Sequence, residues 1–167
     1  MLKIFHSLYQ MDVSQLLAVY IEENQRNGSS CFRNLSPNEQ LIRAEDSFLS
    51  YLREVFFRQK DATYVVWVVD GCYKAAFRLE EYCDGLLLTS LETAPDSRRK
   101  GYAHSLMLGV VEYLKNSNHC YLYSHVSKRN KASLALHIKC GFEFFSDTAS
   151  FLDGTVTHSS YTLRLHL

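Results

Sequence analysis

Residues 86–114 limit this chain to a few folds. They carry an apolar strand, a proline, a basic turn, a glycine and an amphipathic helix in immediate succession. The strand, Leu86-Leu87-Leu88-Thr89-Ser90-Leu91-Glu92-Thr93, stops at Ala94-Pro95-Asp96. Beyond Ser97-Arg98-Arg99-Lys100-Gly101-Tyr102-Ala103, apolar residues recur at Ala103, Leu106, Met107, Val110 and Leu114, the stripe of one buried helix face. A strand that feeds straight into a helix leaves the first helical N–H groups without acceptors, and basic residues around them make an anion site. Gly101 would let a phosphate approach the main chain with no Cβ in the way, and Ala103 keeps the first turn slim. A basic turn ahead of an ordinary surface helix has the same local pattern, so this stretch alone leaves both readings open.

A second stretch narrows the choice: Val126-x-x-x-Asn130-x-x-Ser133-x-x-Leu136-His137-x-Lys139-Cys140-Gly141-Phe142. It predicts a strand ending in an asparagine turn, a helix over 130–139, and a Gly-Phe that opens the next strand. Arg98-x-x-Gly101-x-Ala103 resembles the pyrophosphate loop of the GCN5-related N-acetyltransferases (GNAT), and the second stretch resembles that family's other signature. The two stand in the family's order with one strand between them. The resemblance is close over 86–145 and architectural before that.

The flanking segments are consistent with such a fold. Residues 2–8 alternate as a first strand. Asp12 is an N-cap with Gln15 three residues on, and Val13, Leu16, Leu17 and Tyr20 stripe a first helix that Asn27-Gly28 should end. After a loop over 29–35, Ser36-Pro37-Asn38-Glu39 is a capping box with proline at the first helical position. It opens a second helix running to about Arg58, with a break allowed near Asp46-Ser47. Three apolar runs, 64–69, 73–82 and 86–93, are separated by Asp70-Gly71 and Asp84-Gly85 and predict an antiparallel meander. A fifth strand over 120–126, the helix over 130–139, a strand over 142–152, a third Asp-Gly at 153–154 and a last strand to Leu165 complete the chain. The order β-α-α-β-β-β-α-β-α-β-β is that of the acetyltransferase fold. The expectation is an α/β (α+β) mixed sheet of about seven strands with four helices, in one domain over 1–167. The fourth and fifth strands should be parallel and splayed, exposing strand backbone that pairs with a pantetheine arm.

The chain has 167 residues, 47% apolar and 22% charged, enough for one domain with a substantial core. Its formal net charge of zero advertises neither nucleic acid nor membrane. Two basic knots, Arg98-Arg99-Lys100 and Lys128-Arg129-x-Lys131, are expected at neighbouring strand ends, near the cofactor's phosphates. Cys31, Cys72, Cys83, Cys120 and Cys140 form an odd set without metal-ligand spacing and read as buried reduced thiols, in keeping with a cytoplasmic protein. No run is long enough to span a bilayer.

The resemblance implies direct transfer from acetyl-CoA: a neutral amine attacks the thioester, a backbone N–H polarises its carbonyl, and an acid meets the departing thiolate. Where the family places a tyrosine after the helix leucine, this sequence has Leu136-His137. His137 is thus the expected acid, with packing or a water-mediated role as alternatives and Tyr102 and Tyr161 as substitute phenols. His125 is the first candidate base, at the position where the ribosomal-protein N-terminal acetyltransferases, which this sequence resembles there, carry glutamate. Glu92 is the second; strand alternation places it with Leu88 and Ser90, opposite Leu87, Leu91 and Thr93. Each of these bases could equally be an ordinary strand-end side chain, hydrogen-bonded or solvated. The histidines of serotonin-type members fall here on Leu87 and Thr89, so that mechanism does not transfer. The cofactor set implied is Leu91, Thr93, Arg98, Arg99, Lys100, Gly101, Tyr102, Ala103 and His104, with Asn130 and Ser133 from the second signature. Asn130 is also a natural helix cap. Glu22, Glu23 and Asn24 could attract an ammonium group, and Tyr121, Tyr123 and Tyr161 add aromatic surface.

The function expected is N-acetylation of a primary amine on a small molecule or a protein N-terminus, with no metal. The alternative is a silent module of the same fold that binds coenzyme A or another phosphorylated ligand for regulation. The expected partners are acetyl-CoA and an amine acceptor, with a homodimer left open and neither nucleic acid nor membrane involved.

Overall fold

The predicted meander forms around two-residue turns. A computed structural model describes residues 1–167. It contains β1 (Leu2–Phe5), α1 (Val13–Val19), α2 (Ile21–Cys31), α3 (Pro37–Glu54), β2 (Thr63–Val69), β3 (Cys72–Tyr82) and β4 (Gly85–Thr93). These are followed by α4 (Tyr102–Leu114), β5 (Tyr121–Ser127), α5 (Lys131–Lys139), β6 (Glu143–Ser146), β7 (Ala149–Ser150), β8 (Val156–Thr157) and β9 (Ser160–His166). Asp70 and Gly71 both adopt left-handed backbone, φ 49° and 75°, as a tight hairpin between right-twisted strands requires. The second hairpin turns on Cys83-Asp84, with Cys83 at φ 48°. Gly85 therefore lies inside the strand instead of in the turn.

One seven-stranded sheet runs β1-β2-β3-β4-β5-β9-β6, antiparallel throughout except for the parallel β4–β5 pair. The crossover through α4 is what allows that parallel pairing. Alternate residues of the strands feed two cores. Val65, Phe77, Leu88, Leu122 and Leu163 pack with Leu106, Met107 and Val110 of α4 on one face. Tyr64, Val66 and Ala76 pack with Leu16, Val19, Leu52 and Phe56 from the N-terminal helices and the turn after them on the other. Burying one such Leu or Phe contributes roughly 1.5–3 kcal/mol, so both faces of β2 and β3 are anchored.

Several expectations are corrected. The first helix does not stop at Asn27-Gly28. It breaks at Tyr20, whose hydroxyl donates to the Ser90 carbonyl oxygen at 2.7 Å, and resumes as α2 to Cys31, giving five helices instead of four. Gly28 is where α2 and α3 touch: a Cβ there would sit 2.6 Å from the Gln40 carbonyl oxygen. Helix α3 carries both arms of its capping box and runs unbroken through Asp46-Ser47. The strand expected over 142–152 divides in two, because the Ser146 hydroxyl accepts the Thr148 amide and turns the chain out of the main sheet. Of the five cysteines, all unpaired, only Cys140 is buried. No helix is long and apolar enough to cross a membrane.

Candidate functional site

The parallel pair is closed at one end and open at the other. Gly85, Leu86, Leu87 and Leu88 pair with Tyr121, Leu122, Tyr123 and Ser124, and pairing then stops, although β4 continues to Thr93 and β5 to Ser127. Gly85 permits the closed end, since a Cβ there would lie 2.0 Å from the Tyr121 carbonyl oxygen. The open end begins where β4 bulges. Ala76 faces Glu92 and Arg78 faces Thr89, so that Ser90 and Leu91 together oppose Phe77, and Ser90 takes a left-handed φ of 54°. The extra residue resets the alternation. Leu91 joins Leu86 and Leu88 against α4, and Glu92 turns toward α2, which corrects the expected grouping of Glu92 with Leu88.

Beside the opening, the turn into α4 keeps its amides free. Ser97 N–H donates to Ala94 and Ser105 N–H to Gly101, but none of the amides from Arg98 to His104 has an acceptor within the protein. Gly101 has φ 82° with open space where a Cβ would be, and Arg99 is also left-handed at 62°. Consecutive unpaired N–H groups at a helix start form a concave positive nest that suits a diphosphate.

These two features border one cleft of about 540 Å³. From the expected set it is lined by Leu91, Glu92, Thr93, Arg98, Arg99, Gly101, Tyr102, Ala103, His104, Asn130 and Ser133. Lys100 lies outside it, with its ammonium donating to the Asp96 carbonyl at 2.8 Å. The second basic knot does not line it either, and Lys128 pairs with Asp147 at 3.0 Å. Arg98 bends away from the nest to pair with Glu22 at 2.8 Å, which raises its pKa. Asn130 caps α5 by accepting the Ser133 amide at 3.1 Å, which leaves its own amide nitrogen available to the cleft.

The three candidate acid–base groups sit in different places. His137 is buried under α5, edge-on to Phe142, and Leu136 takes the cleft-lining position in its stead. Its Nδ1–H donates to the Ser133 carbonyl at 2.8 Å, its Nε2 has no partner, and burial lowers its pKa. Glu92 is half-buried, 3.8 Å from Arg26 and 4.0 Å from Arg98. Burial raises its pKa and Glu23 adds to the rise, with Arg26 and Arg98 opposing.

His125 occupies the first unpaired rung of β5, on the sheet face opposite α4 and α5. Its neighbours along the strand, Ser124 and Val126, face the other way, Val126 into the α4 core. The ring lies edge-on between Tyr82 and Phe151, neither nitrogen has a hydrogen-bond partner, and burial lowers its pKa. Burial thus favours the neutral imidazole, whose lone pair is shielded from solvent and has no donor within the protein.

On that same face the residue-by-residue reading missed Arg78, Ser90 and the N-terminal helices converging on a second cavity of about 370 Å³. Glu23 and Asn24, expected near an acceptor, line it, and Glu22 lines the neighbouring cleft. Arg78 gave no signal because a lone arginine in a strand looks solvent-facing until α3 is packed over it. Of the expected aromatic surface, Tyr123 donates to Asp84 at 2.7 Å and Tyr121 and Tyr161 lie under Arg164 and Lys128.

The fold has close relatives among solved structures. The PaiA N-acetyltransferase of Thermoplasma acidophilum, solved with coenzyme A, superposes with a TM-score of 0.65 at 14% identity, covering 100% of this chain and 99% of that one. The IAA acetyltransferase of Bacillus cereus gives 0.63 at 16% identity, with 100% and 99% covered. The ribosomal-protein-S18-alanine N-acetyltransferase of Escherichia coli gives 0.60 at 19% identity, with 99% and 94% covered. No curated protein sequence matches the chain significantly. The family model for the GNAT acetyltransferases matches residues 16–142, and with the splayed strands and the open amide nest this chain belongs to that family.

Proposed function

We propose that this protein transfers the acetyl group of acetyl-CoA to a primary amine, with the cofactor entering from the α4–α5 side of the sheet and the amine from the opposite face. The observation that carries the reading is the unpaired end of β4 and β5 next to the free amides of Arg98 to His104. Bound acetyl-CoA supplies an activated acyl thioester. The nest holds its diphosphate, Arg99 and His104 add cationic and polar rim, and the open strand edges, with Asn130, hold the amide-bearing arm.

His125 is the base in this reading. As a neutral imidazole on the acceptor face, it accepts the proton of the ammonium form, leaving the amine lone pair free to attack. The C–N bond forms as the C–S bond breaks, and the proton balance closes when the thiolate is protonated. Glu92 is engaged with two arginines and serves instead to shape the negative rim. His137 spends its Nδ1–H on the Ser133 carbonyl and packs edge-on against Phe142 under α5, and is assigned packing. Titration calorimetry with acetyl-CoA, followed by thiol release over a panel of amines and peptides, tests the proposal. Absence of binding rejects it, and binding without release on any acceptor leaves the silent coenzyme A module in its place.

A further inference from the structure

Arg78 is a cation without a counterion. Its Nη2 donates to the Ser90 hydroxyl and its guanidinium lies over the rings of Tyr51 and Phe56, at 5.1 and 5.5 Å. Its Nε is buried with no partner. The acids that face it are Glu80, two residues along the same strand face, and Glu23 on the cavity wall; no carboxylate lies within 4.0 Å. Across the same cavity Asn24, only 2% exposed, has a side-chain nitrogen that also lacks a partner. Two buried donors left open on one cavity are costly unless something accepts from them. A planar guanidinium with a neighbouring amide matches a carboxylate.

The position matters as much as the chemistry. Arg78 pairs with Thr89, which follows the last rung shared with β5, and His125 follows that same rung on β5, so the three residues lie on one face of the sheet on either side of the opening. A cavity of about 370 Å³ suits an amino acid or a short peptide end. We infer that the acceptor carries a carboxylate, held by Arg78 and Asn24 while its amine lies toward His125. This inference rests on the acetyl-transfer reading for the amine, but the carboxylate site itself does not need turnover to be detected.

Matched acceptors test it: free amino acids against their carboxamides, and peptides with aspartate against asparagine at the second position. The wild-type protein is expected to prefer the acid of a pair at least tenfold in kcat/KM. Which set is used separates a free acid from an acidic peptide. Arg78→Gln should erase that preference by raising the acceptor KM, with the KM for acetyl-CoA unchanged, and Arg78→Lys should restore part of it. Equal use of acid and amide by the wild type, or a preference that survives Arg78→Gln, overturns the inference. Thermal shift with N-acetylated amino acids and acidic peptides, against their amides, in the presence of coenzyme A, reads the site without catalysis. If no amine is acetylated but the acids alone stabilise the protein, the carboxylate site stands and the acetyl-transfer reading falls. If neither acid nor amide stabilises it, the site falls.

Discussion

Two glycines in nearly the same backbone conformation make a controlled comparison. Gly71 and Gly101 have φ of 75° and 82°, and neither has any atom within 4 Å of where a Cβ would be placed. Alanine at either site meets no steric clash, so its cost is that of a left-handed L-residue, about 1–2 kcal/mol. Where the cost appears depends on what holds the turn. Gly71 is gripped between paired residues Val69 and Cys72, so Gly71→Ala should lower unfolding free energy by that amount. The Arg98 to His104 turn has no amide bonded within the protein and is held by the Arg98 and Lys100 side chains and by one main-chain bond, from the Ser105 amide to the Gly101 carbonyl. It can relax, and Gly101→Ala should instead collect the strain when acetyl-CoA demands the nest. A cost of 1–2 kcal/mol is roughly a 5- to 30-fold rise in Kd. Calorimetry with acetyl-CoA and urea unfolding of both variants give the two quantities. If Gly101→Ala loses as much stability as Gly71→Ala and binds acetyl-CoA normally, the turn is a rigid structural loop and its role as a nest is refuted.

Other perturbations separate the histidines and the packing. His125→Gln should lower kcat by about 100-fold or more with acetyl-CoA affinity unchanged, and should remove an acid limb of the pH–rate profile lying below the ordinary histidine value of 6.5; a limb that persists would exclude His125 as base. His137→Phe should leave turnover within a few-fold. Because the folded-state pKa of His137 is depressed, its neutral form contributes stability that is complete above pH 6.5 and is lost as pH falls toward the lowered value. The phenylalanine variant should therefore unfold with a flatter acid dependence, measured by denaturant midpoints between pH 7 and pH 5. Gly28→Ala drives a Cβ against the Gln40 carbonyl and should cost about 1–3 kcal/mol of stability, with acetyl-CoA affinity unchanged from wild type.

What could be read in the residues was local. Caps at Asp12, Ser36 and Asn130, the Asp70-Gly71 turn and the strand-turn-helix order of the two signature stretches depend on residues a few positions apart, and each forms where expected. What was misjudged depends on partners distant in the chain. Gly28 resembles a helix stop, but it is occupied by the approach of Gln40. Gly85 resembles a turn residue, but it makes room for Tyr121. Glu92 was placed by uninterrupted alternation, and the bulge at Ser90, supported by Tyr20 from seventy positions away, shifts everything after it by one. Arg78 required α3 overhead before its lack of a partner became visible.

The two borders of the opening are not equivalent. Along its other side β5 is stitched to β9 by pairs running without interruption from Tyr121–His166 to Ser127–Ser160. The irregularity at the opening lies on β4, whose bulge breaks the register with β3, whereas β5 and β9 pair without a break. The contour of the opening is thus set largely by the N-terminal half, and under the proposed function so is the side from which an amine enters, with α5, β5 and β9 forming the opposite border. If the proposed transfer holds, substitutions around Tyr20, Arg78 and Ser90 would retune acceptor choice without touching the border formed by α5, β5 and β9.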